Sequence, residues 1–408
     1  MKEKIVYAGV TSTSYEQGSR DLLKLAELTV SAKQVERVTD DIGVERCEER
    51  DAEVKAYQEM TLVDRKGVPA GVEAPEVATV GADGGRLQIW ERGDDDPESA
   101  SESVEPEEGK SGRHWREDKI GVLLRMKSEV SATDPCPEIP DTFVDPTKIL
   151  RLARELKAKT APREDGLCEP PEKEEPAAEN TYEWKPPEVT GRNLVASRCR
   201  WADFGPKLAQ AAWSQGFFGA SRRAFVGDGS ENNWTLWRNH FSSFEPILDF
   251  IHALSYVFAA ATAGRPFTEG WPCYERWITW LWQGQVERII AELAARQTEL
   301  GTPAKDESET SPKKVVAKAL TYLQNHKDKM RYADYRQQGL PIMSSYVESA
   351  VKQFNFRVKG TEKFWSEAGA EGVLQLRADD LSENQPLTAF WQRRQAATTG
   401  QRPYRKAA

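Results

Sequence analysis

Three carboxylates in distinct local contexts constrain the fold of this chain more than any other feature of its sequence. Asp83 follows the apolar run VATVGA, and Asp228 follows the run RRAFVG. Short apolar runs of this kind are typical of buried β-strands. Glu348 lies in SSYVESAVKQFNFRV, a pattern that predicts a helix over 344–358 capped by one of its two leading serines. The fold must therefore bring two strand ends and one helix together.

An Asp-Asp-Glu set is suited to phosphoryl transfer assisted by two divalent metal ions. Such ions prefer hard carboxylate oxygens, and a pair about 3.5–4 Å apart can hold both the attacking and the leaving oxygen. Each residue also has a plainer interpretation, because Asp-Gly pairs are common in turns and a helical glutamate usually faces solvent. We predict metal binding because all three contexts occur in one chain.

Composition and cysteine usage narrow the class of protein. The 408 residues are 39% hydrophobic and 30% charged, and no run approaches the roughly 18 apolar residues of a membrane span. The first residues, MKEKIVYAGVTSTSYEQ, lack the apolar core of a signal peptide. Five scattered cysteines form no CxxC pair, which argues against a zinc site or a disulfide framework. We therefore predict a reduced, cytoplasmic protein that does not enter a membrane.

Charge is distributed unevenly along the chain, whose net charge is −9. Residues 91–110 contain nine acidic and two basic residues, whereas residues 311–408 contain 17 Lys or Arg against nine Asp or Glu. A basic segment with interleaved aromatic residues suits contact with a phosphate backbone. Ordinary surface charge explains the same distribution equally well.

The N-terminal region is predicted to be helical. Leucines in DLLKLAEL form an apolar stripe, and a second helix is predicted to begin after Ser31, a suitable N-cap, and to stop at Gly43. Helix, turn and serine-capped helix is the order of a helix-turn-helix motif, whose second helix would present Lys33 and Arg37 to DNA. A plain helical hairpin packed on the main domain fits the pattern as well.

The elements that follow predict an α/β fold. A β-hairpin is predicted at 76–92 with its turn at Gly84-Gly85, and a further strand at 119–129. Helices are predicted at 146–158 and 203–219, strands at 222–228 and 245–251, and helices again from about 253 to 335. This order predicts a ribonuclease-H-like catalytic domain with a mixed five-stranded sheet and a helical insertion, plus the N-terminal helix-turn-helix-like region.

Domain boundaries follow from these elements. They are 1–62 for the helix-turn-helix-like region, 75–252 and 341–385 for the two parts of the catalytic domain, 253–340 for the helical insertion, and 386–408 for a basic tail. The acidic stretch 93–113 and the Pro/Glu-rich stretch 161–188 are predicted to be disordered loops.

Further site residues flank the three carboxylates. Asp249 and His252 in ILDFIHAL are three residues apart, a spacing that places both on one face of a helix. We predict that this pair orients the metal ligands; a helix-capping aspartate beside a satisfied histidine is the plainer interpretation. Four cations that follow Glu348 are predicted to contact DNA phosphates, with a solvated basic face as the alternative: Lys352, Arg357, Lys359 and Lys363.

Taken together, these segments resemble the bacterial DDE insertion-sequence transposases of the ISKra type, distant relatives of the Mutator-like transposases. The resemblance runs from about residue 15 to 385 and is carried by VSAKQVERVTDDIG, GADGGRLQIWE, FVGDGS with ILDFIHAL, LWQGQVERII, and above all YRQQGLPIMSSYVESAVKQFNFRVKGTEKFW. It implies that Asp83, Asp228 and Glu348 form a catalytic triad that binds two Mg²⁺ or Mn²⁺ ions. It also implies that Asp249 and His252 match a short Asp/Cys-x-x-His element.

The resemblance further implies a function. The protein is expected to cleave and join double-stranded DNA at the terminal inverted repeats of a mobile element and at target DNA. It is expected to act as a homo-oligomer on paired ends, associated with the nucleoid in the bacterial cytoplasm. An N-terminal DNA-binding portion of longer relatives is expected to be missing. The alternatives are a truncated, non-catalytic DNA-binding regulator of transposition and a related ribonuclease-H-fold nuclease.

Overall fold

The computed structural model describes residues 1–89, 115–155, 185–360 and 362–397. The predicted loop 93–113, most of the predicted loop 161–188 and the last residues of the predicted tail lie outside the described residues. No helix within the described ranges is long and apolar enough to cross a membrane.

Six strands in the described residues form one mixed sheet. They are β1 (Val77–Ile89), β2 (Trp115–Lys127), β3 (Glu188–Ser197), β4 (Arg222–Gly227), β5 (Glu245–Leu248) and β6 (Phe364–Trp365). The order is β3-β2-β1-β4-β5, and β6 pairs with the end of β1. β2 is antiparallel to β1 and β3, whereas β4 is parallel to both β1 and β5. This mixed sheet, surrounded by helices, is compatible with the predicted ribonuclease-H-like α/β fold.

Fifteen α-helices lie in the described residues. They are α1 (Lys2–Thr11), α2 (Tyr15–Ala26), α3 (Ala32–Glu59), α4 (Leu62–Lys66), α5 (Pro146–Glu155), α6 (Trp201–Ser214), α7 (Glu231–His240), α8 (Phe250–Thr262), α9 (Phe267–Trp282), α10 (Val286–Leu300), α11 (Pro312–His326), α12 (Tyr332–Gln337), α13 (Ser345–Val358), α14 (Glu367–Leu381) and α15 (Pro386–Ala396). The predicted helices that begin at 146 and 203 are present as α5 and α6. Helices α8 to α12 occupy the segment predicted to be a helical insertion.

The predicted hairpin turn at Gly84-Gly85 is wrong, because β1 is a single 13-residue strand that runs through both glycines. Gly84 pairs with Lys119 of β2, and Gly85 pairs with Asp118. A Cβ atom on Gly85 would lie only 2.7 Å from Asp118 Oδ2. The second glycine therefore makes room for a side chain of the neighbouring strand, which is a known use of glycine within a sheet.

The other predicted strands are present, and one strand was not predicted. β2, β4 and β5 correspond to the predicted strands at 119–129, 222–228 and 245–251, although β5 ends at Leu248 because Asp249 caps the following helix. Sequence reasoning missed β3, which begins at the end of the predicted loop 161–188. Gly-Arg-Asn interrupts the apolar pattern of this strand, which is nevertheless paired with β2 along its length.

The N-terminal helices differ from the prediction in length and in packing. Ser31 is the N-cap of α3, as predicted, and its hydroxyl accepts the N–H of Gln34 at 3.2 Å. The predicted stop at Gly43 is wrong, because α3 continues to Glu59. A Cβ on Gly43 would lie 2.7 Å from the Cα of Gly372 in α14. The glycine therefore allows two helices to cross closely and does not end one of them.

Ion pairs hold α3 against α14. Arg46 Nε lies 2.9 Å from Asp379 Oδ2, and Arg50 Nη1 lies 2.9 Å from Glu371 Oε1. Both arginines are buried, and α14 also packs on β3. The helix that carries Lys33 is therefore docked onto the elements that surround the sheet.

The predicted basic tail 386–408 begins with a packed helix. Phe390 and Trp391 of α15 are buried in a small apolar cluster with residues of α1, α3 and α14. Arg393 and Arg394 pair with acidic side chains of α3. This part of the tail is therefore anchored, whereas residues 398–408 lie outside the described residues.

Helices cover both faces of the sheet. On one face, Val347 of α13 lies over Gly81 of β1, where an added Cβ would fall 2.8 Å from Val347 Cγ2. On the other face, Leu208 of α6 lies over Gly121 of β2, where an added Cβ would fall 2.5 Å from Leu208 Cδ1. A glycine in the strand lets each helix approach closely, and α13 carries Glu348 to the first of these faces.

Candidate active site

Two of the three predicted carboxylates lie at the same level of neighbouring parallel strands. Gly81 of β1 is the register partner of Val226 of β4. Asp83 and Asp228 are each two residues further along the chain. The two aspartates therefore emerge side by side toward the carboxyl ends of the parallel strands, where open α/β sheets usually place their sites.

A third aspartate continues this row. Gly227 of β4 pairs with Leu248 of β5, and Asp228 and Asp249 each follow directly. The N–H of Asp249 donates to the carbonyl of Gly227 at 2.8 Å, which fixes the two strand ends against each other. The sheet thus places three aspartates along one edge.

The Asp228 carboxylate is held by the loop that follows β4. Its Oδ1 accepts the N–H of Ser230 at 2.9 Å and the side-chain amide of Asn233 at 2.8 Å. Gly229 has φ of +96°, a conformation that favours glycine. Within the described residues these bonds fall on Oδ1, so Oδ2 remains available to a ligand. Asp228 can therefore shape the turn after β4 with one carboxylate oxygen and bind a ligand with the other.

The helical insertion braces this loop through a tyrosine that sequence reasoning missed. The Tyr322 hydroxyl on α11 donates to the Asp228 carbonyl at 2.8 Å. Its ring packs so closely that a Cβ on Gly229 would lie 2.7 Å from it. Tyr256 of α8 stacks on Tyr322 with ring centres 3.8 Å apart. No sequence pattern signals this contact, because 94 residues separate Tyr322 from Asp228.

The predicted pairing of Asp249 and His252 is present. Asp249 is the N-cap of α8, and its Oδ1 accepts the backbone N–H of His252 at 2.9 Å and lies 3.3 Å from the ring Nδ1. Its Oδ2 accepts the backbone N–H of Ser344. Asp249 is almost fully buried. The three donors compensate its charge, as buried polar groups in folded proteins generally require.

Asp249 also binds the N-cap residue of the Glu348 helix. Ser344 is the N-cap residue of α13, but its side chain makes no capping hydrogen bond. The buried carboxylate of Asp249 binds the Ser344 N–H. Ser344 is thus the N-cap, as predicted, but within the described residues its hydroxyl does not make the capping bond. The same aspartate thus links α8 to the start of α13.

Electrostatics show that the predicted site residues lie near one another. Burial would lower the pKa of His252, yet the hydrogen bond and charge of Asp249, together with the charges of Asp228 and Glu348, raise it to about 9. Burial raises the pKa of Asp83 to about 6, and the charges of Asp228 and Glu348 act in the same direction. His252 is therefore a cation at neutral pH among several carboxylates.

The donor set suits a hard divalent cation, but the side chains do not close around one. Asp83, Asp228 and Glu348 offer the carboxylate oxygens that Mg²⁺ prefers. Within the described ranges, no three acidic, histidine or cysteine side chains converge closely enough to enclose a metal ion.

The predicted DNA contacts fall into two groups. Lys33, Arg37, Lys352 and Lys359 are exposed, as contacts to a phosphate backbone require. Lys363 is partly buried, and its ammonium donates to the Phe356 and Arg357 carbonyls at 3.2 Å each. It therefore caps the C-terminal end of α13, where a cation is favourable.

The prediction of Arg357 as a DNA contact is wrong. Its side chain is only 2% exposed. The guanidinium lies between two rings, 4.6 Å from the centre of Tyr15 and 4.8 Å from that of Trp365. Its Nε donates to the Gly9 carbonyl at 2.9 Å. Arg357 therefore joins α13 to the N-terminal helices and is not available to a phosphate.

Comparison with known proteins neither supports nor excludes the resemblance. No protein-family model matches the chain, and no curated protein matches it. The fold and the acidic sheet edge alone define a class, a mixed α/β protein with carboxylates at the ends of adjacent parallel strands.

Proposed function

We propose that the protein is a DDE transposase of an insertion sequence, which cleaves and joins DNA at terminal inverted repeats. The observation that carries the proposal is the placement of Asp83 and Asp228 at one level of neighbouring parallel strands, with Glu348 on the helix that covers the same face. The sheet order supports a ribonuclease-H-like catalytic domain for this reaction. The function rests on this placement and on the sequence resemblance.

The residues of the chain suit phosphoryl transfer on DNA. Asp83, Asp228 and Glu348 would hold two Mg²⁺ or Mn²⁺ ions. When bound, such ions supply Lewis-acid stabilisation of the attacking and leaving oxygens of the scissile phosphate. His252, a cation at neutral pH, offsets part of the mutual repulsion of the carboxylates before ions bind. Asp249 holds His252 in this position.

Exposed lysines near Glu348 suit the DNA backbone. Lys352 is on the same helix as Glu348, four residues further along and so on the same face, and Lys359 directly follows the end of that helix. Both are exposed. A duplex that presents its scissile phosphate to Glu348 would therefore pass these cations, which position the backbone without reading its sequence.

Cleavage of labelled duplexes tiled across the DNA that flanks this gene tests the proposal. We expect cutting that depends on Mg²⁺ or Mn²⁺, and a loss of at least a hundredfold in Asp228→Asn. Asp203→Asn, on an exposed position of α6, is the matched control and should cut normally. Cutting by Asp228→Asn at the rate of the control would contradict the assignment.

Two alternatives share part of the same structure. A ribonuclease-H-fold nuclease is supported by the same sheet order, and preference for a DNA junction or an RNA–DNA hybrid over repeat ends would favour it. A non-catalytic DNA-binding regulator is supported by the exposed lysines near Glu348, which suit contact with a DNA backbone whether or not the site cleaves it. Binding of the flanking DNA without metal-dependent cutting, in the parent and in Asp228→Asn alike, would favour the regulator.

A further inference from the structure

One buried carboxylate has no role in the site described so far. Asp118 of β2 is fully buried, and within the described part of the chain its carboxylate oxygens have no hydrogen-bond partner on another residue; only its own backbone N–H acts on them. A buried polar group without a partner is rare, and each one calls for an explanation such as a bound ion or a catalytic role. Burying a charge without compensation is costly.

The position of Asp118 places it beside Asp83. Asp118 is the register partner of Gly85, and Asp83 precedes Gly85 by two residues in the same strand. Paired residues and residues two apart share one face of a sheet, so all three face the side that α13 covers. With a rise of about 3.3 Å per residue, Asp83 and Gly85 are separated by roughly 7 Å along β1.

The Asp118 carboxylate extends over β1. A Cβ built on Gly85 would lie 2.7 Å from Asp118 Oδ2 and 2.8 Å from Oδ1. The carboxylate thus fills the space that the glycine leaves open on the strand of Asp83. Asp228 is on the opposite side of that strand, since β1 lies between β2 and β4. Ile120 is the register partner of Asp83 on β2, so Asp118 is its diagonal neighbour there, while Asp228 lies on the β4 side.

No side chain of the described residues neutralises Asp118 by contact. Lys119 and Lys359 are the cations whose charges act on it. The Lys119 ammonium lies 3.2 Å from Glu117 Oε2, and Lys359 is exposed just after α13. Burial raises the pKa of Asp118 to about 6, so the group is still mostly ionised at pH 7.5. An external cation would supply the missing charge.

We propose that Asp118 is a fourth carboxylate of the site and, with Asp83, takes up one of the divalent cations. Asp83 is then the shared ligand, with one ion on the side of Asp228 and Glu348 and the other on the side of Asp118. The inference rests on the proposed function for the first ion, whereas the second depends only on Asp118 and Asp83. Gly85 is part of this site because its missing side chain leaves room for the Asp118 carboxylate.

Binding of Mn²⁺ to the full-length protein, measured by calorimetry together with the unfolding temperature, tests the proposal. We expect two ions to bind to the parent. Asp118→Asn should lose one ion, with affinity at that site reduced at least tenfold, while its unfolding temperature without metal stays equal or rises. A higher unfolding temperature without any change in Mn²⁺ binding would show that Asp118 destabilises the fold and binds no ion, which would overturn the proposal.

Two further variants separate the possible failures. Gly85→Ala keeps the charge but crowds the carboxylate, so it should weaken the same ion; if Asp118→Asn does not fold, normal ion binding by Gly85→Ala overturns the proposal. Asp228→Asn should lose the other ion and keep the one at Asp118. Loss of binding in Asp228→Asn alone would leave the proposed function standing and remove Asp118 from the site. Unchanged Mn²⁺ binding in both Asp118→Asn and Asp228→Asn would contradict both the role of Asp118 and the proposed metal site at Asp228.

Discussion

Asp249→Asn is the substitution whose effect follows most directly from the structure. Burial lowers the pKa of His252, but the hydrogen bond and charge of Asp249, followed by the charges of Asp228 and Glu348, raise it from its ordinary 6.5 to about 9. A pKa raised by this amount corresponds to roughly 3 kcal/mol of net stabilisation of the charged ring, to which Asp249 is the largest favourable contributor. Asparagine removes the largest favourable charge, so the pKa of His252 should fall well below 9, toward 6.5.

The sign of the effect on stability is fixed by linkage. Because the pKa of His252 is raised on folding, its stabilising contribution is fully present below pH 6.5 and is lost as the pH rises through about 9. The parent should therefore lose up to about 3 kcal/mol of unfolding free energy over this window, and Asp249→Asn should lack that slope. The variant should also be less stable at every pH. Asparagine has one acceptor oxygen where Asp249 uses two, one for the His252 N–H and one for the Ser344 N–H, so one of these bonds is lost.

Proton NMR of the histidine rings, with urea unfolding at several pH values, measures both quantities. The chain has four histidines, and His252→Gln identifies the relevant resonance. His240 cannot be confused with it, because burial lowers the pKa of His240 to about 4. A His252 pKa near 9 in Asp249→Asn, or an unchanged slope of stability with pH, would refute the reasoning.

Three other substitutions test separate parts of the structure. Gly81→Ala places a methyl group 2.8 Å from Val347 Cγ2 and should lower the unfolding free energy by about 1–3 kcal/mol. Gly67→Ala is the control, because an added Cβ there would lie 3.4 Å from its nearest neighbour; equal stability of the two variants would contradict the close approach of α13. Tyr322→Phe removes the hydrogen bond to the Asp228 carbonyl, so it should slow cleavage while lowering the unfolding free energy by only about 1 kcal/mol. Unchanged cleavage would show that this bond does not position Asp228. Lys352→Ala should reduce the salt dependence of DNA binding without changing the melting temperature, whereas Arg357→Leu should do the reverse; the opposite pattern would restore Arg357 as a DNA contact.

Local sequence patterns were sufficient for the strand of Asp228 and the helix of Glu348. An apolar run that ends in Gly-Asp-Gly identified β4, and helical spacing after two serines identified α13. The contact between Asp249 and His252 also followed from their spacing, since three residues span about one helical turn. These features depend on residues that are close together in the chain.

Features set by distant residues could not be read in this way. Gly84-Gly85 has the composition of a turn, and pairing with β2 makes it part of a strand. Gly43 has the composition of a helix stop, and a helix more than 300 residues away explains it. Arg357 follows a basic pattern on α13, but Tyr15 and Trp365 enclose it. In each case tertiary packing outweighs local propensity.

The most direct test of the proposed site is whether its three carboxylates act as one unit. Cleavage rates would be compared for Asp83→Asn, Asp228→Asn, Glu348→Gln and the triple variant, in Mg²⁺ and in Mn²⁺. Groups that act together give strongly non-additive losses, so we expect each single substitution to reduce cleavage to about the level of the triple variant. Independent, multiplicative losses, or one single variant that still cleaves at the parental rate, would contradict a shared metal site at this edge of the sheet.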